Sequence, residues 1–137
     1  MLFVNSCRVQ FKMIGVRNKN IVYPELSYKI TGLLFKTHNQ LGRYCKEKQY
    51  QDIIEEFLRG ENLKFEREKQ IAISSGSSGN IADFIIENKI ILECKAKPFI
   101  TKQDYYQLLR YLKSSGMRLG MLVNFRNRFL KPRRILN

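Results

Sequence analysis

Apolar residues recur with helical spacing in three stretches of this chain, and each stretch is bounded by residues that start or end helices. The predicted helices cover about 25–40 after Pro24 and before Gly42, about 45–59 before Gly60, and about 102–114 between Thr101 and Gly116. Proline suits a first helical turn, threonine caps an N-terminus, and glycine commonly ends a helix.

Elsewhere the apolar residues alternate or form short runs, which is typical of strands. Such segments lie at 63–74, 81–96, 119–125 and 129–136, the last of them basic and suited to a short edge strand. The segment 81–96 predicts two strands joined by a tight turn at 87–89. The order of helix, helix, three strands, helix and strand predicts one α/β sandwich, with helices flanking a mixed central sheet.

Three charged residues interrupt the apolar hairpin at 81–96: Asp83, Glu93 and Lys95. Charged side chains are rare in core strands unless they are paired or bind a metal. Alternate residues of a strand share a face, so Glu93 and Lys95 point the same way and Cys94 points the other way. If the two strands pair, Asp83 comes close to Glu93, and the hairpin carries a small candidate metal site.

Four polar residues on the predicted helices have two interpretations each. Glu47 lies on the apolar face of the second helix, either as a first-turn carboxylate favoured by the helix dipole or as a carboxylate aimed at the metal patch. The apolar stripe of the third helix consists of Tyr105, Leu108, Leu109 and Leu112. Gln107 and Tyr111 are neighbours on a flank away from this stripe, where a solvated polar face is favoured slightly over an open groove. His38 borders an apolar stripe, and a satisfied interfacial histidine is favoured over a functional one.

The composition favours an anionic partner. The 137 residues include 25 Lys and Arg against 12 Asp and Glu, which gives a net charge of +13. This charge favours nucleic acid as the partner over an acidic membrane surface. A basic protein without a polyanionic partner is the alternative. From Lys95 onward there are eleven basic residues and a single acid, Asp104. The candidate nucleic-acid contacts in this basic half are Lys97, Lys102, Arg110, Arg126 and Arg128.

The remaining composition bounds the setting. No apolar run approaches the length of a membrane span. Cys7, Cys45 and Cys94 are an odd number without paired spacing, so a reducing, cytoplasmic location is expected rather than a disulfide framework or a zinc site. Residues 1–22 are expected to be a basic arm or an edge strand, or an over-extended start with Met13 as the initiator, and 23–137 to be the one domain.

Asp83, Glu93 and Lys95 are the minimum set for metal-assisted hydrolysis of a phosphodiester. Carboxylate oxygens are the ligands that Mg²⁺ and Mn²⁺ prefer, and such an ion lowers the pKa of a bound water. An adjacent lysine is suited to orienting that water or offsetting charge on the phosphate.

The spacing Asp83 … Glu93-Cys94-Lys95 resembles the signature of the PD-(D/E)XK nuclease superfamily, and a wider pattern is similar to its branch called GxxExxY proteins. The segments that carry this resemblance lie at 38–42, 47–50, 82–83, 87–89, 93–96, 107–113, 119–120, 124–125 and 134–137. Tyr44 stands where the branch has the glycine that names it, and Asn80-Ile81 replaces an aromatic-basic pair.

The resemblance implies a restriction-endonuclease-like sandwich and a metal-dependent nuclease. It implies that Asp83 and Glu93 hold Mg²⁺ or Mn²⁺ and that Lys95 acts on the water. Glu47 would support the site. Gln107 and Tyr111 match the Gln-X-X-X-Tyr helix motif of related recombination-type exonucleases, where that motif faces the active site. The resemblance therefore favours a site role for Glu47, Gln107 and Tyr111 over their other interpretations, and His38 stays a candidate.

Three functions follow as hypotheses. The first is a nuclease that acts on DNA or RNA, with DNA favoured. The second is a catalytically silent nucleic-acid-binding module with the same fold, and the third is an accessory subunit whose partner supplies the function. The complete Asp83, Glu93 and Lys95 set favours the first, because a binding module has no need for a buried pair of carboxylates.

Overall fold

The computed structural model describes residues 21–71 and 80–137. Its elements are α1 (Pro24–Leu41), α2 (Glu47–Gly60), β1 (Phe65–Ile71), β2 (Asn80–Ile86), β3 (Ile90–Lys95), α3 (Lys102–Ser115), β4 (Leu119–Asn124) and β5 (Arg133–Leu136). Residues 1–20 of the proposed arm at 1–22 lie outside the described residues, and so do residues 72–74 of the strand predicted at 63–74. The other predicted elements are confirmed, although the last strand covers only Arg133–Leu136 of the predicted 129–136.

The five strands form one sheet in the order β1-β2-β3-β4-β5. β3 and β4 run parallel, and every other neighbouring pair is antiparallel. Because parallel neighbours need a crossover, α3 connects β3 to β4 across one face of the sheet. The predicted α/β class with a mixed sheet is confirmed.

Helices cover both faces of this sheet. On one face, α1 and α2 pack Leu34, Ile54 and other apolar side chains against Phe84 and Leu92. On the other face, α3 packs Leu108 and its neighbours against Ile91 and other strand residues. Alternation along β3 therefore sends Leu92 and Cys94 toward α1 and α2, while Ile91, Glu93 and Lys95 share the α3 face. This arrangement positions the site between the sheet and the helices.

The helix ends mostly follow the signals in the sequence. Pro24 is in the first turn of α1, and Gly42 ends it with φ 74° while its N–H donates to the His38 carbonyl. Gly116 ends α3 with φ 73°. The predicted cap at Gly60 is wrong: α2 continues through Gly60, and the left-handed residue of this connection is Asn62 (φ 56°). Asparagine tolerates that conformation because its short polar side chain bonds locally.

Tyr111 corrects a second expectation. The solvated polar face that spacing alone favours is wrong for this residue, which is only 2% exposed and packs with Leu108 and Leu112 in the core. Tyr105, which the apolar stripe would have buried, is exposed instead. None of the helices in residues 21–71 and 80–137 has the length and apolar character that a bilayer span requires.

Candidate active site

The backbone pairing of β2 and β3 gives way to side-chain hydrogen bonds at the two carboxylates. Along the hairpin, Ile86 pairs with Ile90, Ile85 with Ile91, and Phe84 with Leu92. One position further, the Asp83 N–H donates to Glu93 Oε1 at 3.0 Å, and the Cys94 N–H donates to Asp83 Oδ2 at 2.7 Å. Each carboxylate thus bonds the backbone of the opposite strand, and the predicted closeness of Asp83 and Glu93 is confirmed.

The two carboxylates are held in a setting that opposes their ionisation. Glu93 is 5% exposed, and burial, followed by the charge of Asp83, raises its pKa to about 8. Burial also raises the pKa of Asp83, although the Cys94 N–H bond and the charge of Lys95 oppose the rise. A cation would stabilise two neighbouring, largely buried carboxylates, because without it the ionisation of both is unfavourable.

Lys95 is paired with Asp104, a residue that the sequence did not single out for the site. Its Nζ lies 3.9 Å from Asp104 Oδ1, and Lys97 Nζ lies 2.5 Å from Oδ2. Asp104 is fixed in turn at the start of α3, where the Thr101 N–H donates to Oδ2 at 2.8 Å. Burial would raise the Asp104 pKa, but the bonds from Lys97 and Thr101 outweigh it and lower the pKa. The Thr-X-X-Asp capping box at 101–104 was the available signal.

Glu47 is a first-turn residue of α2, and its carboxylate interacts electrostatically with residues of the hairpin. It is the first residue of α2, and the capping bond there belongs to its neighbours, since the Lys46 N–H donates to Gln49 Oε1 at 2.8 Å. Burial and then the charge of Asp83 raise the pKa of Glu47, while Lys95 opposes the rise. The carboxylate therefore senses both the Asp83 carboxylate and the lysine of the hairpin.

Gln51 and Arg67 are further polar residues that the sequence did not single out. Gln51 is buried one turn after Glu47 and hydrogen bonds with the Asp83 carboxylate. Arg67 Nη2 donates to Gln51 Oε1 at 3.3 Å, and Nη1 lies 2.8 Å from an Asp52 oxygen. The spacing of four residues between Glu47 and Gln51 places them on one helix face, which was the available signal.

Gln107 and Tyr111 reach the site from the α3 face. Burial and then the charges of Glu93 and Asp83 raise the Tyr111 pKa to about 12, and Gln107 hydrogen bonds with Tyr111. Gln107 is half-buried and lines a cleft of about 320 Å³ together with Asp104, Arg110 and two other α3 side chains. The two motif residues thus lie on the same side of the sheet as the acids.

The five basic candidates fall into two groups. Arg110, Lys102 and Arg128 are exposed. Lys97 is bound to Asp104, and Arg126 donates to backbone carbonyls of other segments, including that of Arg43 at 3.1 Å.

His38 also has an internal partner. Its Nε2 lies 2.9 Å from the Asn127 carbonyl oxygen. This contact agrees with the satisfied interfacial histidine favoured from the sequence.

The site offers a carboxylate pair rather than a closed metal cage. Within residues 21–71 and 80–137, no group of three or more His, Cys, Asp or Glu side chains is arranged to hold a metal ion. Mg²⁺ is usually bound through one or two carboxylates, with waters and substrate phosphates completing the shell. Asp83 and Glu93, with their raised pKa values, fit that mode of binding.

A family model described as the PD-(D/E)XK nuclease superfamily matches residues 24–135 of the chain. With the mixed sheet and its three helices, the match confirms the predicted restriction-endonuclease-like sandwich. No curated protein shows a significant match. The crystal structure of SSO0001 is similar with a TM-score of 0.47 and 22% identity, over 79% of this chain and 66% of that chain, so the chain spans just under two thirds of that protein. A likeness of that degree supports no inference about chemistry.

Proposed function

The chain belongs to the PD-(D/E)XK nuclease superfamily, and we propose that it hydrolyses phosphodiester bonds in nucleic acid, with DNA favoured over RNA. The observation that carries this proposal is the pair of hydrogen bonds by which the Asp83 and Glu93 carboxylates each accept from the backbone of the opposite strand, next to Lys95. A basic chain of net charge +13 supports a polyanionic substrate.

In this proposal Asp83 and Glu93 would hold Mg²⁺ or Mn²⁺. Such an ion lowers the pKa of a bound water and neutralises charge on the phosphate. Lys95 would orient that water and balance negative charge on the phosphate, and its ion pair with Asp104 holds the amine in position for both tasks. Glu47 adds a third carboxylate to the field of the site. Tyr111 and Gln107 position the acids from the α3 face.

We further propose that the chain is a GxxExxY protein, because the residues of that pattern have a physical task here. The Tyr50 hydroxyl donates to the Gly42 carbonyl at 2.6 Å and accepts from the Cys45 N–H at 3.2 Å. Its ring stacks on Phe125 with centroids 4.2 Å apart. The tyrosine thus holds the loop that leads into Glu47, even though Tyr44 replaces the glycine of the branch.

The proposed cellular setting follows from the cysteines. Cys45 and Cys94 are free thiols, which supports a reducing, cytoplasmic location.

The first test is cleavage of labelled single- and double-stranded DNA and RNA in the presence of Mg²⁺ or Mn²⁺. We expect the wild type to cleave at least one substrate and Lys95→Ala to lose that activity. Lys113→Ala is the matched control, since this exposed lysine lies in the last turn of α3. Equal inactivity of wild type and Lys95→Ala on every substrate would reject the enzyme and leave the silent binding module.

The second test measures the metal site without any substrate. Calorimetry should detect Mn²⁺ binding by the wild type and by Lys95→Ala, and a large loss in Asp83→Asn. Binding that is the same in Asp83→Asn would contradict the proposed ligand.

A further inference from the structure

Three aromatic side chains are largely exposed to solvent. Tyr44, Phe99 and Phe129 are 75%, 79% and 71% exposed, the highest values among the large hydrophobic side chains of the described residues. Each lies in a loop next to an element of the site: Tyr44 just before α2, Phe99 just after β3, and Phe129 after β4. Aromatic rings left in water near a functional site indicate a binding surface.

The three loops are fixed to one another through Arg126. Its Nε donates to the Arg43 carbonyl at 3.1 Å, and Arg43 Nε donates back to the Arg126 carbonyl at 2.9 Å. Arg126 Nη2 also donates to the Ala96 carbonyl at 3.4 Å, which joins the loop after β3. Asn124 Nδ2 adds a bond to the Lys97 carbonyl at 2.7 Å. A surface fixed in this way loses little conformational freedom when a ligand binds.

The charge of these loops has one sign. Residues 42–46, 96–101 and 125–132 contain six basic residues and no acid. Guanidinium groups lie beside two of the exposed rings: those of Arg43 and Arg126 are 5.1 and 5.6 Å from the Tyr44 ring centre, and that of Arg128 is 5.4 Å from the Phe129 ring centre. Interleaved cations and rings suit a ligand that has both negative charges and flat apolar faces.

We propose that these three loops, the aromatic–arginine surface, bind unpaired nucleic-acid strands, with bases stacked on Tyr44, Phe99 and Phe129. The exposed basic side chains of the same loops, Lys46, Arg128 and Lys131, neutralise the phosphates. A duplex satisfies the charges but keeps its bases stacked on each other, so its bases cannot use the rings. An acidic protein would satisfy the charges without using the flat rings.

The surface deepens the proposed function and rests on it for its biological meaning. Ala96 directly follows Lys95, and Lys46 directly precedes Glu47. A strand held by these loops therefore passes beside the acids of the site. The substrate class is then a single strand, or a duplex with an unpaired end.

Binding is tested in EDTA, so that no cleavage occurs, with the full chain and a fluorescently labelled oligonucleotide. The ligands are the single strand, its duplex, and an abasic strand with the same number of phosphates. We expect the single strand to bind more tightly than the other two. Alanine at any of the three rings should weaken its binding about 5- to 150-fold, because stacking contributes strongly per base. The abasic strand should respond little to these variants.

Two controls separate stacking from a general loss of structure. Tyr44→Phe keeps a ring and should bind like the wild type. Phe35→Ala removes an aromatic side chain from α1 that is 43% exposed, and it should leave binding unchanged. The protein contains no tryptophan, so Phe99→Trp provides a single tryptophan whose emission should be quenched by the single strand and not by the abasic strand.

Three results would overturn the inference: equal affinity for the single strand and the abasic strand, alanine variants that bind like the wild type, or no binding to any strand, as a protein-docking surface would give. The proposed function is judged separately by cleavage in Mn²⁺. Cleavage without ring-dependent binding rejects the surface and keeps the nuclease. Ring-dependent binding without cleavage keeps the surface and rejects the nuclease.

Discussion

Replacing Glu93 with glutamine should make the metal-free protein more stable at alkaline pH. The pKa of Glu93 is about 8 in the folded protein against an ordinary value of 4.5. Ionising this side chain in the folded state therefore costs on the order of 4–5 kcal/mol. A small domain has only about 5–15 kcal/mol of unfolding free energy, so the cost is a large part of it. Glutamine has no such charge and retains an Oε1 that accepts the Asp83 N–H.

The sign follows from the direction of the pKa change. Because the folded pKa lies above the unfolded one, the contribution of Glu93 to stability is complete below about pH 4.5 and is lost as the pH rises to about 8. The two proteins should thus be similarly stable in acid. Above about pH 8, Glu93→Gln should exceed the wild type by up to a few kcal/mol.

Urea denaturation from about pH 4 to about pH 9 measures this difference. Between the two pKa values the gap between the curves should widen by up to about 1.4 kcal/mol per pH unit. Glu56→Gln, at an exposed position of α2, is the matched control and should follow the wild type. Mn²⁺ should stabilise the wild type more than Glu93→Gln at alkaline pH, because it binds the charged carboxylates. Parallel curves for wild type and Glu93→Gln would refute the buried, costly carboxylate.

Three further changes test the surroundings of the site. Asp104→Asn should lower the cleavage rate about tenfold or more, because it removes the charge that holds the Lys95 amine. The Mn²⁺ affinity measured by calorimetry should stay close to that of the wild type, and an unchanged cleavage rate would contradict this role. Gly120→Ala should reduce the urea-unfolding free energy by about 1–3 kcal/mol, because a Cβ there would lie 2.9 Å from Leu108 Cγ. Gly32→Ala, in α1 with nothing within 4 Å of its Cβ, should instead stabilise by up to about 1 kcal/mol, and the opposite order would be inconsistent with this packing.

Local signals were sufficient to predict most of the elements. The hairpin of β2 and β3 was predicted from its apolar runs and a short turn, and Glu87 and Asn88 adopt positive φ values of 52° and 53° there. This backbone matches the twist of the two strands, which is why such turns join them. Gly60 shows the limit of the same reasoning, because α2 continues through this glycine and the left-handed residue that follows the helix is Asn62.

Tyr111 was misjudged because helix faces were assigned from apolar residues alone. Counting Tyr105 as part of the stripe rotated the expected buried face of α3 away from Tyr111. The observed face instead contains Asp104, a carboxylate that is buried by its bonds to Lys97 and to the Thr101 cap. A polar residue with enough partners can lie on a buried face, and those partners depend on contacts between elements.

The three central residues of the candidate site were predicted from the sequence, whereas the residues that contact them from other elements were not. Asp83 and Glu93 are cross-strand neighbours in one hairpin, so their proximity follows from short-range pairing. Gln51 reaches Asp83 from another element, and its amide is held by Arg67, 16 residues further along the chain. Helical spacing indicates which face Gln51 occupies, but only the packing of α2 against the sheet determines what it meets.

The basic half of the chain shows the same distinction between a count and its use. Lys95, Lys97, Arg126 and Arg134 all make internal bonds; Arg134, for example, donates to the Val22 carbonyl at 2.6 Å. Burial lowers the pKa of Arg134, as expected for a guanidinium that joins the last strand to the start of α1. These cations hold segments together and still contribute charge to the field around the site. The phosphate contacts must therefore come mainly from basic side chains outside this group. The net charge indicates the kind of partner, whereas the internal hydrogen bonds indicate which basic side chains are left to contact it.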